Sequence, residues 1–242
     1  MMFRQYSNTT EVIHALTQRL ISCMSEKGKD EVFNLALSGG NTAIEVFKLW
    51  VREYSEKIDW RQIHFFWVDE RCVAPDSADS NYRHANEQLF MPLGICSENI
   101  HRIWGENVPE TEAERYESEI RRLMLLRKNV PFFDCIILGV GEDMHTASIF
   151  PGCRYLLTDE RLYAVSRHPE TRMFRITMTG KSILCGAPLL IPVLGESKKE
   201  VIDTLKNIGK NCERMRDCVD ASTPISFIIS SAGILAEVFA AP

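Results

Sequence analysis

Short runs of large apolar residues at 32–37, 63–68 and 132–138 constrain this chain most. Each is strand-length, rich in aromatic and β-branched side chains, and halted by glycine or charge. Between them lie stretches whose apolar residues recur at helical spacing. In 10–27 these are Val12, Ile13, Leu16, Leu20 and Met24, and in 42–54 they are Ile44, Phe47, Trp50 and Val51. Further helices are expected at 80–91, 111–128 and 197–208, and further strands at 162–165, 174–178, 189–194 and 225–229. A short helix from Gly233 closes the chain, and Thr111 with Glu114 reads as a capping box for 111–128. Strands alternating with helices predict an α/β fold, a Rossmann-like doubly wound, mostly parallel sheet. Such a sheet binds ligands outside the carboxyl ends of its strands.

The 242 residues suffice for one sizeable core, and no linker or repeat divides them, so a single domain over 1–242 is expected. The formal net charge is −5, and the cluster Arg121, Arg122, Arg127 and Lys128 sits at helical spacing as a solvated face. Nucleic acid is therefore not an expected partner. None of the eight cysteines forms a Cys-x-x-Cys pair, and no apolar run approaches the roughly 18 residues that span a bilayer. The N-terminal ten residues lack an apolar signal core. The expectation is a reduced, cytoplasmic protein with no membrane partner and no disulfide framework. Composition says nothing about oligomeric state.

The chemistry gathers at the strand ends. The first strand runs into Ser38-Gly39-Gly40-Asn41-Thr42 and then a helix. Glycines allow close backbone approach, and a helix N-terminus offers free N–H groups and a positive dipole end, which suits a phosphate. Thr42 with Glu45 equally reads as a capping box. The second strand ends in Asp69-Glu70-Arg71, which must leave the core at the sheet's edge, either as a solvated loop or as part of a site. Asp79-Ser80-Asn81-Tyr82 reads as the cap of the next helix. The strand at 132–138 enters a Gly139-Val140-Gly141 turn followed by Asp143 and His145. An aspartate beside a histidine fixes its tautomer and raises its basicity, which suits a general base; a satisfied loop histidine is the alternative. Asp69 and Glu70 are the next candidates for that role. Ser197 with Glu200 forms another possible cap. That places Lys198 in a first helical turn, where a cation is unfavourable unless an anion is bound. There is no Gly-x-Ser-x-Gly elbow, which disfavours a covalent serine route, and no convincing metal-ligand cluster.

In order, Ser38–Thr42, Trp67-Val68-Asp69-Glu70-Arg71, Asp79–Tyr82, Gly139–Pro151, Arg175-Ile176-Thr177-Met178-Thr179 and Gly195-Glu196-Ser197-Lys198 resemble the motifs of the 6-phosphogluconolactonases. The similarity runs from about residue 30 to residue 230. It implies a fold shared with glucosamine-6-phosphate isomerase/deaminases. It also implies hydrolysis of 6-phospho-D-glucono-1,5-lactone, the second step of the oxidative pentose phosphate pathway, without metal or organic cofactor. Carried onto this sequence, His145 would activate water and Asp143 would orient it. Gly39, Gly40, Asn41 and Thr42 would lie along the substrate and its phosphate. Arg175 and Lys198 would hold the phosphate, Arg71 would bind substrate oxygens, and Asp69 would lie at the site.

Two positions depart from the family pattern. Met144 stands where glycine is usual, a place where glycine would supply a positive φ, and Ala43 replaces a common proline. The related isomerases follow Asp-Glu with tyrosine and place a catalytic glutamate five residues after their histidine. Here Arg71 and Phe150 occupy those places, so the resemblance favours the hydrolase. A non-catalytic sugar-phosphate sensor is the other reading; it would need an output module, for which the short N-terminus leaves no room.

Overall fold

The computed structural model describes residues 1–28, 31–214 and 222–242. In chain order the elements are β1 (Met2–Gln5), α1 (Thr9–Ser25), β2 (Phe33–Leu37), α2 (Asn41–Tyr54), β3 (Ile63–Trp67), β4 (Asp69–Arg71) and α3 (Asn81–Ala85). A π-helical stretch (Asn86–Phe90) leads to α4 (Met91–Leu93), then α5 (Pro109–Leu123), β5 (Leu126–Arg127), β6 (Val130–Pro131) and β7 (Cys135–Ile137). The rest are β8 (Tyr163–Arg167), β9 (Phe174–Met178), α6 (Gly180–Ile183), β10 (Leu189–Leu194), α7 (Lys199–Arg214), α8 (Pro224–Ala232) and β11 (Ala236–Ala241).

Six strands form one parallel sheet in the order β1-β11-β10-β7-β2-β3, with helices on both sides. The central strands β2, β7, β10 and β11 are mostly apolar because both their faces are covered, with Asn34 in β2 and Glu237 in β11 as the polar exceptions. The helices α1 and α2 pack against each other, locked by a buried relay in which Trp50 Nε1 donates to Thr17 Oγ1 at 2.8 Å and Thr17 donates to Ile13 O at 2.6 Å. Asn8 caps α1 by accepting the Glu11 N–H at 2.9 Å. No described helix is long and apolar enough to cross a membrane.

Register aligns the functional edge. Leu37 stands beside Trp67, so β2 and β3 end at one level. Directly beyond, β4 leaves the main sheet and joins an antiparallel sheet of its own, in the order β4-β9-β8. This sheet is packed by α5 and tied back where Tyr163 Oη donates to Trp67 O at 2.7 Å. The strands expected at 162–165 and 174–178 thus belong to this small sheet and not to the parallel one.

Several expectations are corrected. Residues 225–229 are helical, within α8, and the helix starts at a capping box between Thr223 and Ser226 with Pro224 in the first turn. A short 3₁₀ helix does start at Gly233 (Gly233–Leu235), but the chain closes in β11, fully buried between β1 and β10. The helix expected at 111–128 is α5; Thr111 lies inside its first turn and Val108 makes no side-chain cap. Arg127 and Lys128 lie off that helix, Arg127 in the β5–β6 hairpin and Lys128 in its turn with φ +50°. Six cysteines are free thiols; Cys212 and Cys218 lie outside the described side chains.

β11 carries one buried acid. Glu237 is held by Arg19 Nε at 2.5 Å and Arg4 Nη2 at 3.1 Å, with only 2% of its side chain exposed. Removing one partner of a buried pair strands a charge. Arg19→Met is expected to lower the unfolding free energy by about 3 kcal/mol, and Arg19→Met with Glu237→Leu to recover most of that loss. Urea denaturation of the two variants checks both.

Candidate active site

The neighbouring strands β2 and β7 send their chains to opposite sides of the sheet, the arrangement that opens a crevice at the carboxyl edge. A cleft of about 370 Å³ lies there. The structure brings Gly39, Gly40, Asn41, Thr42, Asp69, Arg71, His145, Arg175 and Lys198 to its walls, with Asp143 behind His145.

His145 sits in a tight turn in which Gly141 N–H donates to His145 O at 2.9 Å. Its Nδ1 donates to Asp143 Oδ1, which also accepts the His145 backbone N–H at 3.2 Å. A carboxylate only accepts, so Nδ1 carries the proton and the neutral ring turns the lone pair of Nε2 outward. Gly141 is required: a β-carbon there would stand 2.1 Å from the imidazole. Burial pushes the Asp143 carboxyl up, but the hydrogen bond and charge of His145 outweigh it and hold Asp143 below the usual carboxylate range.

Met144 does adopt the left-handed conformation that glycine would favour, with φ +65°. Its side chain packs on the core and its carbonyl accepts the Ile225 N–H of α8 at 3.3 Å. The turn is therefore built with a methionine where strain would ordinarily select glycine.

Cations dominate the opposite wall. Arg71 and Arg175 face each other across the β4–β9 pair. Arg71 Nη1 donates to Asp79 O at 2.6 Å. The Arg175 guanidinium has no hydrogen-bond or ion-pair partner among the described residues, and its Nε is buried unpaired. Burial, and then the like charge of Arg71, push Arg175 below the usual arginine range. Lys198 donates to Val140 O, and burial pushes its ammonium down too. The residue capping α2 is Gly40, at φ +87° and without a side chain, so the expected Thr42–Glu45 capping box is absent. The first-turn N–H groups of α2 are left facing the cleft. Ser197 caps nothing either; it lies in a 3₁₀ turn, Glu196–Lys198, that begins at Gly195.

Asp69 is buried and accepts from Ser148 Oγ at 2.6 Å. Its neighbour Glu70 points away from the cleft. Both Glu70 oxygens are occupied by the N–H groups of Arg71, Asn81 and Tyr82 and by the hydroxyl of Ser80, at 2.6–3.1 Å. Glu70 therefore anchors the start of α3 and is no candidate base, while Ser80 caps that helix as expected. Asn81, Ser148 and His168 also line the cleft; the first two lie in the Asp79–Tyr82 and Gly139–Pro151 motifs, though the sequence reading assigns them no role at the site. Ser148 was detectable as a lone polar residue inside an apolar stretch. His168 was not, because the β8–β9 hairpin brings it to the site. No group of three or more His, Cys, Asp or Glu converges among the described residues.

A family model described as glucosamine-6-phosphate isomerases/6-phosphogluconolactonase matches residues 7–233. The chain is 37% identical over 193 residues to the 6-phosphogluconolactonase of Treponema pallidum, covering 79% of this chain and 80% of that one. It is 39% identical over 176 residues to that of Haemophilus influenzae, covering 72% and 73%. A crystal structure described as the devB protein superposes with a TM-score of 0.82 at 35% identity, over 98% of this chain and 95% of that one.

The strained turn yields a test. A β-branched residue tolerates positive φ worse than methionine. Met144→Val is expected to cost at least about 1 kcal/mol, and Met144→Gly to remain within about 1 kcal/mol of the parent. Thermal melts compare them, and a Met144→Val protein as stable as the parent would contradict the strain argument.

Proposed function

The chain belongs to the glucosamine-6-phosphate isomerase/6-phosphogluconolactonase family, and from that premise we propose a residue-level account of its chemistry. The protein is a 6-phosphogluconolactonase: it hydrolyses 6-phospho-D-glucono-1,5-lactone to 6-phosphogluconate in the oxidative pentose phosphate pathway. In our reading one catalytic domain spans residues 1–242 and works in the reducing cytoplasm.

One observation carries the assignment of the site. A general base with its lone pair outward shares a cleft with a partnerless guanidinium, a half-buried lysine and an uncapped helix N-terminus. Such a wall favours an anion, and a phosphate satisfies it. Arg175, Lys198 and the α2 N-terminus with Gly39, Gly40, Asn41 and Thr42 grip the phosphate, and Arg71 meets the substrate's oxygens. Asp69, held by Ser148, borders the ring. Remote binding of this kind supplies the energy that orients the reacting carbonyl.

His145 Nε2 takes a proton from water as the water oxygen bonds to the lactone carbonyl carbon. Asp143 stabilises the imidazolium that forms. Collapse of the tetrahedral intermediate breaks the bond to the ring oxygen, which takes the proton back from His145. The carboxylic acid released ionises to the carboxylate. The scheme uses no metal or organic cofactor. It also separates this chain from the isomerases, because Phe150 presents a phenyl ring 4.8 Å from the His145 ring where those enzymes need a carboxylate.

With the spontaneous rate subtracted, His145→Ala is expected to cut kcat by about 10²–10⁴-fold with little change in KM. Asp143→Asn lowers kcat in the same direction. A corrected rate within a few-fold of the parent would place the base elsewhere.

Lys198→Ala or Arg175→Ala should instead raise KM steeply for the phosphorylated lactone. Unphosphorylated gluconolactone, a poor substrate for the parent, should respond little. Equal losses on both substrates would show that these residues do not grip the phosphate.

A further inference from the structure

We propose that His168, which packs against Phe150 as His145 does, is a hydrogen-bond donor to the oxyanion that forms on the lactone carbonyl. The proposal rests on the lactonase reading.

The orientation of the ring is fixed by its own loop. β8 ends at Arg167, and the chain folds back so that His168 N–H donates to Met173 O at 3.0 Å and Arg172 N–H donates to His168 O at 3.1 Å. Within this fold the N–H groups of Glu170 and Thr171 both donate to His168 Nδ1, each at 3.2 Å. A nitrogen that accepts two N–H groups carries no proton, so in the neutral ring the proton is on Nε2. The edge bearing Nδ1 is wrapped by backbone, and His168 lines the cleft.

Protonating Nδ1 would break both hydrogen bonds and add a charge near Arg175. Burial, followed by Arg175, accordingly holds His168 below the usual histidine range. The cleft therefore contains two imidazoles of opposite character. His145 gives its Nδ1 proton to a carboxylate and presents a lone pair. His168 accepts two hydrogen bonds at Nδ1 and, in the neutral ring, carries its N–H at Nε2. Phe150 contacts both, its centroid 4.8 Å from the ring of His145 and 5.1 Å from that of His168.

That pairing matches the needs of ester hydrolysis. As the water oxygen bonds to the carbonyl carbon, the carbonyl π pair moves onto its oxygen, and a preorganised donor gains strength as that charge grows. The proton lost by water goes to His145. His168 keeps its own proton throughout, and the electron pair returns when the ring C–O bond breaks. A neutral donor binds the uncharged carbonyl of the ground state weakly, so its effect falls on kcat. Of the nearby cations, Arg175 and Lys198 are assigned to the phosphate. Arg71 donates from one Nη to Asp79 O, and its Nε, unpaired among the described residues, is left for the substrate's other oxygens.

The test compares His168→Ala, His168→Gln and His168→Leu with the parent on freshly made phosphorylated lactone, spontaneous hydrolysis subtracted. His168→Ala and His168→Leu are expected to lose on the order of 10²-fold in kcat, with KM within about threefold of the parent. His168→Gln, whose amide can place an N–H near the position of Nε2, is expected to restore most of the rate. Should His168→Ala melt early, the comparison of Gln with Leu decides the matter, since both fill the space. A rise in KM at constant kcat, an unchanged rate, or a folded Gln variant as slow as Leu would each overturn the donor role. A parent inactive on the lactone would overturn the lactonase reading and this proposal together, whereas an active parent with unaffected variants overturns this proposal alone.

Discussion

The parallel pairing of β2 with β7 is the constraint on which the rest of the molecule depends. The register brings Leu35 beside Cys135 and Ala36 beside Ile136. Just beyond, the Gly139 N–H donates to Ser38 Oγ at 3.0 Å, so the two following loops are fastened at the moment they diverge. One loop becomes the N-terminus of α2, and the other becomes the turn that carries His145. The turn is closed by the buried Thr146, whose hydroxyl donates to Gly139 O at 2.9 Å. The backbone and the histidine to which we assign anion binding and the general-base role are thus set relative to each other by strand pairing, a more precise mount than free loops would give.

The second sheet supplies what the first cannot. A parallel sheet ends in loops, yet Arg71 and Arg175 need rigid bases if two like charges are to stay side by side. The β4–β9 ladder provides them, at the cost of placing those charges directly opposite, which destabilises an antiparallel pair. Asp69, Glu70 and Asp79 offset part of the repulsion around Arg175. An anion held there, as in the proposed phosphate site, would relieve the remainder. Glu70 shows how firmly the local fold is held: four donors bind one buried carboxylate and tie the end of β4 to the start of α3.

Much of this was legible in the sequence because the signals were local. The buried strands were readable as apolar runs, α1 and α2 by their 3.6-residue periodicity, and Ser80 by its place before a helix. The tail was misread because tertiary burial overrode local preference. The alanines of β11 favour a helix by propensity, but the strand is buried on both faces between β1 and β10. The run at 225–229 resembles a strand in composition, and only Thr223-Pro224 followed by Ser226 marks it as a helix start. The capping boxes expected at Thr42 and Ser197 failed for a related reason. At both places a glycine with positive φ leads the chain in, and the side chains expected to cap make no capping bond. His168 could not be read at all, since hairpin pairing across β8 and β9 decides what it touches.

Phe150 explains how one scaffold serves two reactions. A carboxylate at this position would sit close to the His145 imidazole, adding a titratable acid suited to moving protons between carbons and oxygens. Hydrolysis needs no such acid beside the base. A buried phenyl ring instead presents an apolar surface to both His145 and His168, and in the proposed mechanism the lower local dielectric strengthens hydrogen bonds made to the developing oxyanion. Separate hydrogen-bond partners at Nδ1 then give the two imidazoles their opposite tautomers: Asp143 for one, the Glu170 and Thr171 backbone for the other. In the proposed mechanism, position 150 is thus one of the two places, with Arg71, where this cleft is set up for hydrolysis without an added acid.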